Sequence, residues 1–293
     1  MDNPHTIGRF APSPTGPLHL GSLYTALAGF LQARSKQGQW LLRIDDLDTP
    51  RNVKGSADAI LKTLDAFGLQ WDGDVYYQSR HIDAYNDAIS DLQRNGLIYP
   101  CTCSRKTLTI VDSTDIYPGI CRDRQSLPDG PHALRVKVDS RTIAFQDELQ
   151  GLISHDLAEQ DGDFIVKRKD NIIAYQFAVV IDDDLQHVDH IVRGFDLLDA
   201  TPKQIYLQQL LGLSIPRYMH VPIIVDEQGY KLSKQTQATA VDLKAPQRII
   251  FELLTLLKQN PPIELQQAPV ADLLDWALEH WNPDLLKNTH AVR

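Results

Sequence analysis

Apolar residues recur at helical spacing between Leu18 and Arg34 (Leu20, Leu23, Leu27, Phe30 and Leu31), which predicts a helix with a buried stripe. A short apolar run, Thr6–Ala11, precedes it as a strand. The loop between them, Pro12-Ser-Pro-Thr-Gly-Pro17, is too rich in proline and glycine to be regular. Gly38 marks the end of the helix. Trp40–Ile44 is the next apolar run, and it stops at an acidic cluster, Asp45-Asp-Leu-Asp48. A second helix is expected from about Ser56 to Phe67, with Ser56 as its N-cap. Strand, helix and strand in this order make a βαβ unit and so a mostly parallel sheet. Ligands of such sheets sit beyond the carboxyl ends of the strands, where both the Pro/Gly loop and the acidic cluster fall.

From Tyr99 the texture changes to short alternating stretches, Leu134–Val138, Gly151–Asp156 and Asp163–Lys167, punctuated by proline, glycine and aspartate. This reads as a small antiparallel domain inserted in the first. Longer apolar patterns return at Tyr175, with strand-sized runs at Phe177–Ile181 and Val221–Val225 and a helix near Thr201–Leu211. Two amphipathic helices follow Lys234, near Pro246–Lys258 and Val270–His280. The fold class expected is α/β, a Rossmann-type doubly wound parallel sheet. Its two halves would be residues 1–98 and 171–240, around an inserted cysteine-bearing domain at 99–170, with a C-terminal helical segment at 241–293.

With 293 residues the chain should hold about two domains. Its 43% hydrophobic and 23% charged residues exclude disorder and a collagen-like repeat. The formal charge of −9 argues against a partner held by net charge alone, and leaves a local groove of Arg122, Arg124, Lys137 and Lys167-Arg-Lys169 as the candidate nucleic-acid face. The N-terminus lacks the pattern of a signal peptide, and no apolar run approaches the ~20 residues of a membrane span. A soluble cytoplasmic monomer without a membrane partner is expected. Three cysteines cannot build a disulfide framework, whereas Cys101-Thr-Cys103 with Cys121 suggests a metal site. Three thiolates leave one tetrahedral position open, and imidazole chemistry nominates His132 or His81 for it.

Two loops carry phosphate chemistry. In Arg9-Phe-Ala-Pro-Ser-Pro-Thr-Gly-Pro-Leu-His-Leu-Gly-Ser22 the helix N-terminus offers unpaired N–H groups to an anion, His19 can donate to a phosphate oxygen, and Gly21 removes a side chain where a nucleoside must approach. In Tyr230-Lys-Leu-Ser-Lys-Gln235, Lys231 and Lys234 can close over a polyphosphate. Taken singly, the first reads sooner as a capped helix and the second as a solvated turn.

Together they resemble the two signatures of the class I aminoacyl-tRNA synthetases. With the Arg43–Asp48 stretch RIDDLD and the Ala174–Asp196 stretch AYQFAVVIDDDLQHVDHIVRGFD, the chain is most similar to the glutamyl branch, from Gly8 to about Gln235. The resemblance implies a ligase that joins L-glutamate to ATP, with Mg²⁺ arriving on the ATP and a tRNA as acceptor. His19 and Lys234 would be the catalytic pair, and His19, Gly21, Lys231 and Lys234 would hold ATP. Glutamate carries two carboxylates and one ammonium. Arg9 and Arg193 suit the carboxylates through their bidentate forks, Asp45 suits the ammonium, and Tyr175 adds a hydrogen bond. The resemblance adds Ala11 and Ser13 to this site. It also points to Tyr117 as fourth ligand of one structural Zn²⁺ held by Cys101, Cys103 and Cys121.

Two positions depart from the pattern: Asp45 where the family has glutamate, and Ser22 where many class I enzymes have a second histidine. The stretch after Lys234 is too short for the usual anticodon-reading region. That implies a truncated paralogue, which activates glutamate without tRNA and passes it to queuosine in the anticodon loop of tRNA(Asp). The competing expectations are a minimal synthetase charging a tRNA 3′ end, a small-molecule nucleotidyltransferase and a non-catalytic RNA-binding module.

Overall fold

A computed structural model of the protein describes residues 6–104, 116–124, 126–229 and 240–293. The first unit forms in the expected order: β1 (Ile7–Phe10), α1 (Leu20–Ser35) and β2 (Gln39–Ile44). Helix α1 leads back into β2 through Gly38, where a Cβ would lie 2.1 Å from the Thr6 carbonyl oxygen, so only glycine fits. Helix α2 (Ser56–Ala66) and the short β3 (Tyr76–Tyr77) follow, then α3 (Ile82–Arg94). Ser56 is not the cap of α2. Gly55 holds that position with φ 79°, while the Ser56 hydroxyl accepts from Gly16 N–H at 2.8 Å and so pins the Pro/Gly loop to α2.

Next come β4 (Ile98–Cys101), β5 (Ala133–Val136), the hairpin β6 (Thr142–Asp147) and β7 (Gly151–Asp156), and β8 (Ile165–Lys167). Then follow α4 (Tyr175–Leu185), β9 (His190–Gly194), α5 (Thr201–Leu211), β10 (Arg217–Val221) and β11 (Ile223–Ile224). The chain ends with α6 (Pro246–Leu256), α7 (Val270–His280) and β12 (Ala291–Val292), which pairs in parallel with β11. The expected strand at Phe177–Ile181 is therefore a correction. These residues lie in α4, and because the helix is buried among them on all sides its run is as continuously apolar as that of a buried strand. The true strand, β9, is wholly buried although it carries His190 and Arg193.

Among the described residues the large sheet has seven strands in the order β3-β2-β1-β9-β10-β6-β7, all parallel except the edge strand β7. Strand order runs outward from β1 in one direction and from β9 in the other, so the doubly wound expectation holds and the switch point lies between β1 and β9. A second sheet, β4-β5-β8, is antiparallel. Residues 99–170 accordingly divide between the two sheets. The hairpin β6–β7 joins the large one through Tyr218 and Asp147, so the inserted antiparallel unit expected here is not separate in its pairing. Alternation along a strand shows which face is buried, not which strand is its neighbour.

The C-terminal helices are not a separate layer either. Leu253, Leu254, Leu257, Leu273, Leu274 and Ala277 share one core with Leu23, Leu27 and Leu31 of α1 and with Trp40 and Leu42 of β2. Burying each such leucine stabilises the fold by about 1.5–3 kcal/mol. Helix α1 is thereby fixed from both sides, which holds its N-terminus in place. Among the described residues, no helix is long and apolar enough to cross a membrane.

Candidate active site

A cavity of ≈ 340 Å³ opens at the carboxyl ends of β1 and β9, at the switch point. Strand β1 supplies Arg9, and the loop after it supplies Ala11, Ser13 and Thr15. The first turn of α1 supplies His19, Gly21 and Ser22, α4 supplies Tyr175, and β9 supplies Arg193. Pro222, Ile223 and Ile224 close one wall with apolar surface. Seven of the residues singled out in the sequence, Arg9, Ala11, Ser13, His19, Gly21, Tyr175 and Arg193, thus line one space although the first and last lie 184 positions apart in the chain. Lys231 and Lys234 lie outside the described residues. Asp45 does not line the cavity.

His19 is the N-cap of α1. Its Nδ1 accepts from the Ser22 N–H at 3.3 Å, and its Nε2 lies 3.0 Å from the Ser22 hydroxyl. Ser22 therefore engages the imidazole from the position where many class I enzymes carry a second histidine. The α1 N-terminus faces the cavity beside it, a natural seat for a phosphate. Tyr175, the first residue of α4, is 41% exposed and has its ring at the rim.

Arg9 is buried, and a carboxylate behind it takes up part of its guanidinium. Its Nε donates to Asp183 Oδ1 at 2.9 Å and its Nη2 to Asp183 Oδ2 at 3.4 Å. Asp183 also accepts from Arg43 Nη1 at 2.6 Å, while Arg43 Nε donates to Asp45 at 2.8 Å. Burial pushes the Asp183 carboxyl up, but the Arg9 and Arg43 charges outweigh it and hold the group below the usual carboxylate range. Asp45 goes the other way. Burial pushes it up to about 6, only partly offset by Arg43. Its Oδ2 is buried without a hydrogen-bond partner among the described residues. Asp45 thus stands one layer behind the cavity wall, tied to the Pro/Gly loop by a backbone bond to Pro12. Behind it, Asp182 accepts from Tyr76, Tyr85 and Gln78, which seals the cluster.

Arg193 is held differently. Its Nε lies 3.0 Å from His220 Nε2, its Nη2 donates to the Thr201 hydroxyl at 2.7 Å, and its Nη1 is buried with no partner among the described residues. The sequence reading missed Arg43, Asp147, Asp183, Thr201 and His220. The one local signal was the acidic run Asp182-Asp-Asp184 inside an apolar helix, since buried aspartates need partners.

The cysteines converge at the small sheet. Cys101, Cys103 and Cys121 have their sulfurs within 4.8 Å of one another and could hold a metal ion. The Tyr117 hydroxyl is 3.4 Å from Cys101 Sγ and 3.7 Å from Cys103 Sγ, and the Arg135 guanidinium lies 3.8 Å over its ring. His132 is half-buried and turned to the Gly130 carbonyl, and His81 stacks on Tyr76; neither belongs to the cluster. Burial pushes the Cys121 thiol up, yet hydrogen bonds from the Thr102 backbone and from Tyr117, with the charge of Arg124, lower it to about 7. Burial raises Cys103 to about 11 and pushes the Tyr117 phenol far above its usual value. Three sulfurs and one oxygen in this arrangement fit a tetrahedral zinc donor set.

The basic groove expected from the sequence is largely spent on the protein itself. Arg122 pairs with buried Asp163 and with the Val138 carbonyl, Arg124 and Lys169 bond Thr102, and Arg168 pairs with Asp48 and Asp170.

The sequence model of the family described as tRNA synthetases class I (E and Q), catalytic domain, matches residues 6–251. A protein named glutamyl-Q tRNA(Asp) synthetase from Aromatoleum aromaticum is 48% identical over 285 residues, which cover 95% of this chain and 90% of that protein. One of the same name from Methylococcus capsulatus is 49% identical over 276 residues, or 94% and 91% of the two chains. Among solved structures, a glutamate–tRNA synthetase from Elizabethkingia anophelis superposes with a TM-score of 0.82 at 24% identity. It covers 99% of this chain and 68% of its own, and establishes likeness of fold.

Proposed function

Because the chain belongs to the class I tRNA synthetases of the E and Q group, and is a ligase-type enzyme, we propose that it activates L-glutamate with ATP in the absence of tRNA and transfers it to queuosine in the anticodon loop of tRNA(Asp). The glutamate α-carboxylate oxygen attacks the α-phosphorus of ATP, pyrophosphate leaves, and the adenylate's carbonyl then takes the acceptor nucleophile as AMP departs. No side chain forms a covalent bond. Positioning and charge stabilisation supply the rate.

The observation that carries this reading is the convergence of Arg9, Tyr175 and Arg193 on the same cavity as the His19 turn. Arg193, with its partnerless Nη1, takes one glutamate carboxylate, and Arg9 takes the other. Asp45 reaches the ammonium from behind, which would give its lone Oδ2 a partner. His19 and the α1 N-terminus hold the phosphates with Gly21 leaving room for the nucleoside, and Lys231 and Lys234 close over the triphosphate with its Mg²⁺. Zinc held by Cys101, Cys103, Cys121 and Tyr117 would tie the small sheet together and takes no part in the chemistry. The acceptor assignment is supported by the name that the relatives carry, at 48% and 49% identity over 90% and 91% of their length.

The test is glutamate-dependent ATP–pyrophosphate exchange without RNA, followed by labelling of tRNA(Asp) against tRNA(Glu). Exchange with labelling of queuosine-bearing tRNA(Asp) alone is expected, and Lys234→Ala should abolish exchange while glutamate still binds. Charging of tRNA(Glu) would replace the acceptor assignment with a minimal synthetase, and an absence of exchange would leave a binding module.

A further inference from the structure

Arg193, His220 and Asp147 come from three adjacent parallel strands, β9, β10 and β6, and form one chain of contacts across the sheet. Arg193 and His220 are direct cross-strand neighbours. The His220 Nδ1 is 2.6 Å from Asp147 Oδ2, and its Nε2 is 3.0 Å from Arg193 Nε. All three residues are buried. A guanidinium N–H can only donate, so Nε2 must accept, and the ring's single proton must sit on Nδ1 and be donated to Asp147. Asp147 in turn is fixed by the backbone N–H groups of Leu149 and Gln150, at 3.0 and 2.9 Å.

We infer that Asp147 and His220 are positioning residues for amino-acid recognition: they lock the Arg193 guanidinium in one orientation at the cavity wall, with its buried Nη1 left to take a substrate carboxylate. The inference rests on the reading that Arg193 takes a carboxylate of glutamate. Two of the three guanidinium nitrogens are committed, Nε to the imidazole and Nη2 to Thr201, which leaves one edge and one orientation. An Arg193 without this brace would have to order its side chain each time it bound ligand. The groups facing His220 are Asp147 on β6, Arg193 on β9, Thr201 on α5, the Tyr218 ring on its own strand and, through its charge, Asp196. Burial, offset in part by the bond to Asp147, holds the imidazole below its usual pKa and therefore neutral at pH 7. A charged ring would set a donor against a donor at Arg193.

Two substitutions divide the brace atom by atom. His220→Gln can keep an acceptor near the Nε2 position, whereas His220→Asn can keep only the donor toward Asp147. Steady-state pyrophosphate exchange should show the glutamate KM rising on the order of tenfold or more in His220→Asn. In His220→Gln it should stay within about threefold, and the ATP KM should be unchanged in both. Equal glutamate KM values in the two folded variants, or an ATP KM that rises in step, would overturn the inference. Wild-type protein supplies an independent measurement: long-range ¹H–¹⁵N spectra at pH 7 to 8 should show a buried, solvent-protected imidazole as the Nδ1–H tautomer. All ten histidines in the Nε2–H or charged form would overturn the inference even if neither variant folded. Wild-type protein without glutamate-dependent exchange would instead overturn the functional reading on which the brace depends. Exchange in wild type with an unchanged glutamate KM in His220→Asn would sink the brace alone.

Discussion

Replacing Asp183 by asparagine keeps the shape of α4 and removes one charge from the middle of the site. Asp183 is the shared acceptor of Arg9, at 2.9 Å, and of Arg43, at 2.6 Å. Arg43 is fully buried, and one of its nitrogens already lacks a partner. In Asp183→Asn two guanidinium groups would face an amide whose NH₂ can only oppose them. Removing one member of a buried ion pair costs about 3–5 kcal/mol, because the partner's charge stays buried. At roughly 2 °C per kcal/mol for a chain of this size, the melting temperature should fall by about 6–10 °C at pH 7. Asp184→Asn, one residue along and half-buried, is the control and should melt within about 1 °C of wild type. The pH dependence has a definite sign. The Asp183 carboxyl is held below its ordinary value, so its stabilisation is present above that value and is lost as pH falls through the lower folded one. The gap between variant and wild type should therefore narrow below about pH 4. Differential scanning calorimetry at pH 7 and pH 3.5 reads both. A variant melting within about 2 °C of wild type at neutral pH would show that Arg9 and Arg43 find other compensation, and the buried-network argument would fail.

Asp45 gives a proton-linkage prediction of opposite sign. Its carboxyl is raised to about 6, so the stability it contributes is present below its ordinary value and is lost as pH rises through about 6. A glutamate ammonium at Asp45 would lower that pKa, so binding at pH 6 should release up to about half a proton and at pH 8 close to none. Titration calorimetry in two buffers of different ionisation enthalpy measures this, and a release that persists in Asp45→Asn would rule out the ammonium role. For the cysteine cluster, elemental analysis should find about one zinc per chain and none in Cys103→Ser. Chelation should raise hydrogen exchange in β4, β5 and β8 while β1, β2 and β9 stay protected, and protein purified without any metal would refute the site.

What could be read from the sequence was what is encoded locally. The Pro/Gly loop and the helix after it appear where expected because consecutive residues dictate the strand–turn–helix, and His19 takes its place as the first residue capping α1. Arg193 was found through a motif rather than a periodicity. By periodicity β9 is obscure, since a strand buried on both faces shows no alternation. Phe177–Ile181 was misread for the converse reason, as a buried helix can be as apolar as a buried strand. The pairing of β6 with β10 joins Asp147 to Tyr218 across a long stretch of chain, and no local signal could disclose it. Arg43, Asp183 and His220 were missed on the same ground: each is ordinary in its own segment and acquires meaning only from a partner on another strand or helix. Ser56 shows how such a partner displaces a local preference. A residue well suited to cap α2 instead bonds Gly16, forty positions earlier.

The two arginines of the cavity are balanced in different ways, and the difference sorts their roles. Asp183 lies directly on Arg9, at 2.9 Å, so much of that guanidinium's field is cancelled before any ligand arrives. Asp147 reaches Arg193 only through a neutral imidazole, which keeps the carboxylate roughly 7 Å away. At equal dielectric, attraction falls as the inverse of distance, so the acid behind Arg193 offsets its charge less than half as strongly. Arg193 is thus offset less by the acid behind it and keeps a buried Nη1 without a partner among the described residues, while Arg9 keeps a fixed orientation and a smaller net attraction. On the proposed reading, the carboxylate that distinguishes glutamate from a neutral analogue belongs at Arg193, where an uncharged amide would leave a buried cation unsatisfied. Arg9 is better matched to the α-carboxylate, which must give up its charge as it attacks phosphorus. A strongly attractive partner there would stabilise the ground state more than the transition state.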